Sequence, residues 1–449
     1  MGFLCAFIGH YKHMYDFPVD NRTSVCYNKK NICSVVINMR TILHSDLNNC
    51  FASIESISHP EYREIPFAVG GDEELRHGII LAKNEIAKKY GIKTGEPLLS
   101  ARQKCPELKV VKPNFELYEE YCSAVRKLYY EYTDQVEPFG MDESWLDVTG
   151  SASLFGDGEK IAHELRNRIK KEFDLTISVG VSFNKVFAKL GSDLKKPDAV
   201  TVISQENYKE KVWTLPVEDL LYVGRATKAK LNRVGIKTIG ELANTSETFL
   251  CSLFGKNGTM LYLFANGLES SPVKRLDERD IIKSLGNSTT TPRDMTNADD
   301  VRLIFNLLSE QVCRRLRSHG LRCSVVQIHL RSNDLCSFER QMHLSSPTDI
   351  SGDVCNAAME LFQKNYSFYM PLRSVGVRAA ELSKADEPVQ LSFFADAEKQ
   401  QKLRKIEMVK DVINNRYGNY SLCRAVLLSD RSLLPEYDPA SVTSCFRSH

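Results

Sequence analysis

Three carboxylates stand at the ends of two apolar runs, and that placement does most to limit what the chain can fold into. Met39 opens the run MRTILHSDLNNCF, whose β-type stretch ends at Asp46. The run MDESWLDVTG turns around Gly140 and carries Asp142 and Glu143 at the junction of turn and strand. Adjacent side chains of a regular strand point to opposite faces, so Asp142 and Glu143 share one site only where the backbone kinks, and Gly140 permits that kink. On adjoining strands the three can hold two Mg²⁺ ions, hard cations that take oxygen ligands and keep positions for water or phosphate. Such a pair, about 3.5–4 Å apart, activates an attacking oxygen and stabilises a leaving one, which implies phosphoryl transfer. An acidic surface turn and a helix cap would use the same residues, so the rest of the chain must decide.

The surrounding text supplies the scaffold. Leu117, Tyr121, Val125, Leu128 and Tyr132 recur at helical spacing and predict a buried helical face over 116–132. Ile161, Leu165, Ile169 and Phe173 recur every four residues, and LTISVGVS at 175–182 alternates as a strand. Together they predict a sheet covered by helices on one side, of the split β-α-β type. Between 50 and 115 lies a compact α-rich insert, where Gly91 suits the C-cap of NEIAKKYGI. Downstream, 219–242 has a helix-hairpin-helix cadence in which Gly224 and Gly235 open helices whose N-termini suit sequence-independent phosphate binding. A last α/β unit has strands near 285–291, 322–330 and 373–381, and Arg314, Arg315, Arg317 and Arg322 form a basic patch in it. The first 38 residues follow no sustained period and read as a poorly ordered extension, with Met39 as the expected translation start. The tail from 385 contains an amphipathic stretch with Leu403, Ile406, Val409 and Ile413 and is expected to be partly folded.

Composition narrows the function classes. A chain of 449 residues, 43% hydrophobic and 26% charged, is that of a soluble globular protein of two to four domains. No apolar run approaches the ~18 residues of a membrane span, and the N-terminus is too polar for a secretory signal, so a cytoplasmic protein is expected. The 13 cysteines form no C-x-x-C pair, which predicts reduced thiols and no zinc site. The net charge of +2 ordinarily argues against a nucleic-acid partner, because phosphate binding draws on Lys and Arg. Even the segment 284–384 holds 12 Lys plus Arg against 10 Asp plus Glu, so any grip on DNA depends on where charges sit. Lys88 with Lys89, and Lys195 with Lys196, are placed to meet a triphosphate as point charges.

In the order SDLNNCF, NEIAKKYGI, MDESWLDVTG, SVGVSFNKVFAKLGSDLKKPDA, VGRATKAKLNRVGI and MPLRSVGVRA, the chain resembles the Y-family translesion DNA polymerases of the bacterial DNA polymerase IV (DinB) and UmuC kind, over roughly 40–384. The resemblance implies an α+β multidomain right-hand polymerase. Its ferredoxin-like palm would span 39–49 and 116–203, small fingers 50–115, a helical helix-hairpin-helix thumb 204–283, an α/β little finger 284–384 and a tail 385–449, after the 1–38 extension. It implies low-fidelity, template-directed synthesis across damaged DNA by two-metal-ion nucleotidyl transfer to a primer 3′-hydroxyl. Asp46, Asp142 and Glu143 would bind two Mg²⁺ ions with the Leu47 carbonyl, and Phe51 would be the steric gate against a ribose 2′-hydroxyl. Where relatives carry Tyr and Arg for the triphosphate, this chain has Glu85 and Lys88, and Asn48 replaces a second aspartate; both departures look more like the UmuC branch. A carboxylate repels phosphate, so Lys88 and Lys196 are retained as triphosphate contacts. Gln390, Leu391, Phe393 and Phe394 look like the sliding-clamp pentapeptide, a glutamine with spaced apolar anchors for a groove. Primer-template DNA, deoxynucleoside triphosphates, the sliding clamp (beta subunit) and a UmuD-like accessory subunit are the implied partners, with no membrane. The rivals are a two-metal nuclease, disfavoured by the Lys-rich triphosphate side, and a DNA-binding scaffold with catalysis lost, disfavoured by the presence of all three carboxylates.

Overall fold

The computed structural model describes residues 40–71, 78–278, 281–388, 397–418, 421–430 and 432–434. The 1–38 extension and the four clamp residues Gln390, Leu391, Phe393 and Phe394 lie outside them. Among the described residues are twelve strands: β1 (Ile42–Leu47), β2 (Phe67–Gly70), β3 (Ile80–Lys83), β4 (Lys109–Val111), β5 (Val136–Phe139), β6 (Glu143–Asp147), β7 (Ile177–Ser182), β8 (Val200–Ile203), β9 (Ser284–Met295), β10 (Leu321–Ser332), β11 (Ser337–Thr348) and β12 (Leu372–Lys384). They build three sheets in a mixed α+β architecture.

The first sheet runs β5-β6-β1-β7-β8, with β1 antiparallel to both β6 and β7. Its register sets Asp46 opposite Glu143 on one side and Ser178 on the other. Every residue of β7 is buried, because helices cover both faces of the sheet rather than the expected one. The Phe115–Tyr129 and Gly158–Phe173 helices share a core with Leu43, Leu146, Val179 and Val181. On the opposite face the Lys185–Leu194 helix lies so close that a Cβ on Gly180 would stand 1.9 Å from the Ala188 carbonyl oxygen. The alternation of LTISVGVS therefore reflects two apolar environments, not one buried and one wet face.

The predicted face of the Phe115–Tyr129 helix packs on this core through Val125, Leu128 and, just beyond the helix, Tyr132, and it extends to Tyr118, Cys122 and Tyr129. Tyr118, Cys122, Val125, Leu128 and Tyr129 are buried, whereas Leu117 and Tyr121 are half-buried. Two core tyrosines are tolerated because each hydroxyl is paired: Tyr118 donates to Glu55 at 2.5 Å, and Tyr129 lies 2.7 Å from the Ser45 hydroxyl.

The second sheet, β3-β2-β4, closes a small core over the 50–115 insert. After it, Gly224 precedes the Arg225–Arg233 helix, Gly235 turns with φ +84°, and Thr238 caps the Ile239–Ala243 helix through a reciprocal bond with Glu241. The third sheet, β11-β10-β12-β9, is antiparallel and packs the Ala298–Ser318 and Ser351–Asn365 helices on one face. Edge strand β11 escapes periodic reading because SFERQMHLSSPT exposes charge on a strand with one open side.

The arginine patch is corrected by the Ala397–Tyr417 helix, which lies against it. Arg317 is 6% exposed and pairs with Asp411 at 2.6 Å and Glu407 at 3.5 Å. Arg314 bonds Asn415, and Arg315 donates to the Gly286 carbonyl at 3.1 Å. Arg317 is therefore withdrawn from DNA, and the other two are engaged inside the unit, while Arg322 is half-buried on β10 opposite Ser383. The amphipathic stretch of the tail lies in this helix, with Ile406 and Val409 facing outward. Removing one member of a buried ion pair costs about 3–5 kcal/mol. Arg317→Met should accordingly release the Ala397–Tyr417 helix, read as faster proteolytic cleavage inside 397–417. Unchanged protection would mean the ion pairs do not hold it.

Candidate active site

The end of β1 and the start of β6 are clamped together, since Leu47 N–H donates to the Asp142 carbonyl at 3.1 Å just after Gly140 turns with φ +81°. Period two puts His44 and Asp46 on the face of β1 that meets the Lys185–Leu194 helix. Glu143 joins them from β6. Lys189 Nζ sits among the acids, 2.8 Å from Glu143, 3.4 Å from Asp46 and 3.2 Å from Asp193. Lys196 Nζ reaches Asp46 at 2.7 Å and Asp193 at 2.9 Å. His44 is fully buried, with Nε2 3.2 Å from Glu143 Oε2 and Nδ1 2.9 Å from the Ser192 hydroxyl.

Electrostatics separates the three carboxylates. Burial, then Glu143 and Asp46, pushes Asp142 up to about 6. Asp46 is also raised, by burial and by Glu143, against the pull of Lys196 and Lys189. Burial works upward on Glu143 too, but His44 and Lys189 hold it below the ordinary carboxylate range. Burial keeps His44 below its usual value, so the imidazole is neutral and Lys189 supplies the positive charge. The ammonium of Lys189 is raised in turn, as burial is outweighed by Glu143 and Asp193.

Asp46 and Glu143 thus share Lys189, and Asp142 stands close enough to feel both. Among the described residues no three His, Cys, Asp or Glu side chains converge tightly enough to hold one ion, because the two lysines compensate the acids. The donor set nevertheless fits a hard divalent cation. All three are oxygen donors, burial and then its anionic neighbours hold Asp142 protonated to unusually high pH, and the cations Lys189 and Lys196 now stand against Glu143 and Asp46 where a metal ion would bring its charge.

Phe51 begins the Cys50–Ser58 helix after Asn49 turns left-handed at φ 49°. Its ring stacks on Tyr118 at 4.4 Å between centroids and meets Phe115 edge-on at 5.9 Å. Glu85 accepts from the Asn49 amide at 2.9 Å and stands 3.6 Å from Lys88 Nζ, so the acid at the departing position is locally neutralised. Asn48 donates to Ser178 at 3.0 Å and accepts the Asp198 N–H at 2.8 Å, which ties the loop carrying Lys196 to β1. Gly224 and Gly235 stand at helix-hairpin-helix turns well apart in sequence from these side chains.

Lys189, His44 and Asp193 are the side chains that sequence reasoning misses here. A signal existed for one of them: His44 is two residues before Asp46 on a strand, so the two share a face.

Residues 45–193 match the impB/mucB/samB family, 282–393 match the impB/mucB/samB family C-terminal domain, and 218–269 match the thumb domain described for DNA polymerase-iota. A DNA polymerase IV of Acetivibrio thermocellus is 52% identical over 394 residues, covering 88% of this chain and 99% of its own. One from Clostridium acetobutylicum is 34% identical over 395 residues, 87% of this chain and 98% of its own. In three dimensions a Y-family DNA polymerase chimera superposes with a TM-score of 0.69 at 21% identity, over 76% of this chain and 98% of that one.

Proposed function

The chain belongs to the Y-family DNA polymerases of the DNA polymerase IV (DinB) kind, and from that premise we propose that it extends primers across damaged templates by nucleotidyl transfer from deoxynucleoside triphosphates. The observation that carries the reading is Asp46 set opposite Glu143 across β1 and β6, with Asp142 beside them and two lysines at the rim. On this reading the first sheet and its helices are the palm (39–49 and 116–203), with fingers 50–115, thumb 204–283 and little finger 284–384.

Asp46, Asp142, Glu143 and the Leu47 carbonyl would hold two Mg²⁺ ions, which when bound supply Lewis acidity at the primer 3′-hydroxyl and charge neutralisation at the triphosphate. The protein's own groups do the rest. Lys196 exchanges Asp46 for the incoming phosphates, and Lys88 offers a second point charge if it leaves Glu85. His44 and Lys189 keep Glu143 ionised and in place. Phe51 stands beneath the sugar. The helix N-terminus after Gly224 takes backbone phosphate, whereas Gly235 closes the Arg225–Arg233 helix instead of opening the next, its N–H bonded to the Asn232 carbonyl.

With Arg317 withdrawn, the face of the third sheet away from its helices is the better DNA surface. Register groups Gln327 with Arg378 and Gln341 there, and the stem of Arg378 packs over Gly286. So few cations predict a weak, salt-sensitive grip. A clamp tether through 390–394 would compensate by raising local concentration.

Primer extension on a primer-template with Mg²⁺ and deoxynucleoside triphosphates tests the reading. Failure to extend, or cleavage of DNA without nucleotides, would overturn it. The raised Asp142 adds a pH signature. Its folded pKa of about 6 lies above the ordinary 3.8, so the folded state binds that proton more tightly and its stabilising effect is lost as pH rises through 6. A ligand must shed the proton, so the Mg²⁺ needed for half-maximal rate should rise about tenfold per pH unit below 6 and level off above 7. A flat requirement from pH 5 to 7.5 would remove Asp142 as a ligand.

A further inference from the structure

The Ala397–Tyr417 helix is folded with its charged face inward. Glu407 and Asn414 are buried, while Arg404, Lys410 and Asp411 are committed to Asp349, Glu310 and Arg317 at 2.8, 2.5 and 2.6 Å. Ile406, Val409 and Val412 face water at 55, 58 and 65% exposure. At 3.6 residues per turn, Val409 and Val412 lie roughly opposite Glu407 and Asn414. Leaving such side chains in water forgoes about 1.5–3 kcal/mol of burial each. A helix that had only to pack on its own domain would turn the other way. The inward ion pairs fix its rotation and hold the apolar stripe outward.

Two observations identify what covers the stripe. The charged side chains exposed along the helix are Glu398, Lys399, Lys402, Lys405 and Arg416, four cations to one acid, whereas Glu407 is buried and Asp411 is half-buried against Arg317. A second copy would set these cations against each other. A DNA backbone would meet the cations but bring phosphate to Ile406 and Val409. An apolar protein patch rimmed by carboxylates satisfies both. The second observation is position: only Ala395 and Asp396 separate Phe394 from Ala397. An extended chain covers at most about 3.5 Å per residue, so the helix begins within roughly 10 Å of the end of the proposed clamp peptide. A protein that holds the peptide is in reach of the stripe.

We propose that the outward face of the Ala397–Tyr417 helix is a second docking surface for the sliding clamp, meeting an apolar, carboxylate-rimmed patch beside the groove that takes the 390–394 peptide. The proposal rests on the clamp reading of that peptide. Two contacts joined by so short a link bind as one bivalent ligand, and each multiplies the other's affinity.

The test is binding of the full chain to purified bacterial sliding clamp. Ile406→Ser, Val409→Ser and Val412→Ser together should weaken binding at least tenfold and leave single-nucleotide addition on bare primer-template unchanged. Lys402→Glu with Lys405→Glu, which removes no apolar surface, should weaken it comparably and flatten its salt dependence. A third variant replaces Gln390, Leu391, Phe393 and Phe394 by Ala. If that variant loses the clamp while the stripe and charge variants bind like the parent, the second surface is overturned and the peptide reading stands. If the parent itself does not bind, the peptide reading fails and this proposal with it. Loss of binding to anionic vesicles or DNA by the stripe variant, with clamp affinity unchanged, would also overturn it.

Discussion

Asp142→Ala combined with Glu143→Ala should lower Mg²⁺-dependent primer extension by roughly 10³-fold or more, about 4 kcal/mol of transition-state stabilisation, with primer-template binding nearly intact. The expectation is sharp because the fold should survive. Asp142 is a half-buried carboxyl pushed up to about 6 by desolvation and then by Glu143 and Asp46, so its removal relieves both costs. Loss of Glu143 leaves Lys189 still paired with Asp46 at 3.4 Å and Asp193 at 3.2 Å. His44 stays neutral and bonded to Ser192. An unchanged melting temperature with lost single-turnover incorporation would therefore isolate chemistry from folding. Asp46→Asn is the harsher case, because Lys196 loses its 2.7 Å partner and keeps only Asp193. Persistent extension by the double variant would end the two-metal assignment, whatever the fate of the DNA-binding elements.

The legible part of this site is the part written in short-range periodicity. Asp46 at the end of an apolar run and Asp142–Glu143 after Gly140 required only the two-residue repeat of a strand, and the register of β1 with β6 opposes Asp46 to Glu143. Lys189 was not readable in the same way. Its role appears only when the Lys185–Leu194 helix crosses the sheet at Gly180, a contact between residues far apart in sequence. The Phe115–Tyr129 face is wider than predicted for a related reason, since Tyr118 is buried with its hydroxyl bonded to Glu55, which periodicity cannot see. The arginines at 314–317 were misread because the tail helix that covers them is far away in sequence. A charged helix face looks solvated by default, and only the packing of the Ala397–Tyr417 helix against it reverses that. Glu85 illustrates the limit on electrostatic argument from sequence: its repulsion of phosphate was weighed without Asn49, which holds it at 2.9 Å.

Phe51→Ala should raise incorporation of ribonucleotides relative to deoxynucleotides by roughly 10²-fold, about 3 kcal/mol of discrimination removed. A gate excludes a 2′-hydroxyl only if its ring cannot retreat, and three contacts bear on that. Tyr118 stacks on Phe51 at an interplanar angle of 11°, Phe115 closes its edge, and Tyr118 is itself fixed by the buried Glu55. Pushing the ring aside would break the stack and crowd a packed core, so the clash falls on the nucleotide instead. Truncation to alanine opens the space directly. It also removes part of a half-buried aromatic, a cost expected to fall below the roughly 3–5 kcal/mol of a fully buried phenylalanine, so the variant should remain folded. Phe51→Tyr keeps the ring and should keep the sugar preference, which separates loss of the gate from general loosening of the helix. The measurement is the ratio of kcat/KM for a deoxynucleotide and its ribonucleotide on one undamaged template. A ratio unchanged in Phe51→Ala would return Phe51 to the role of a core aromatic and require the sugar to be read elsewhere.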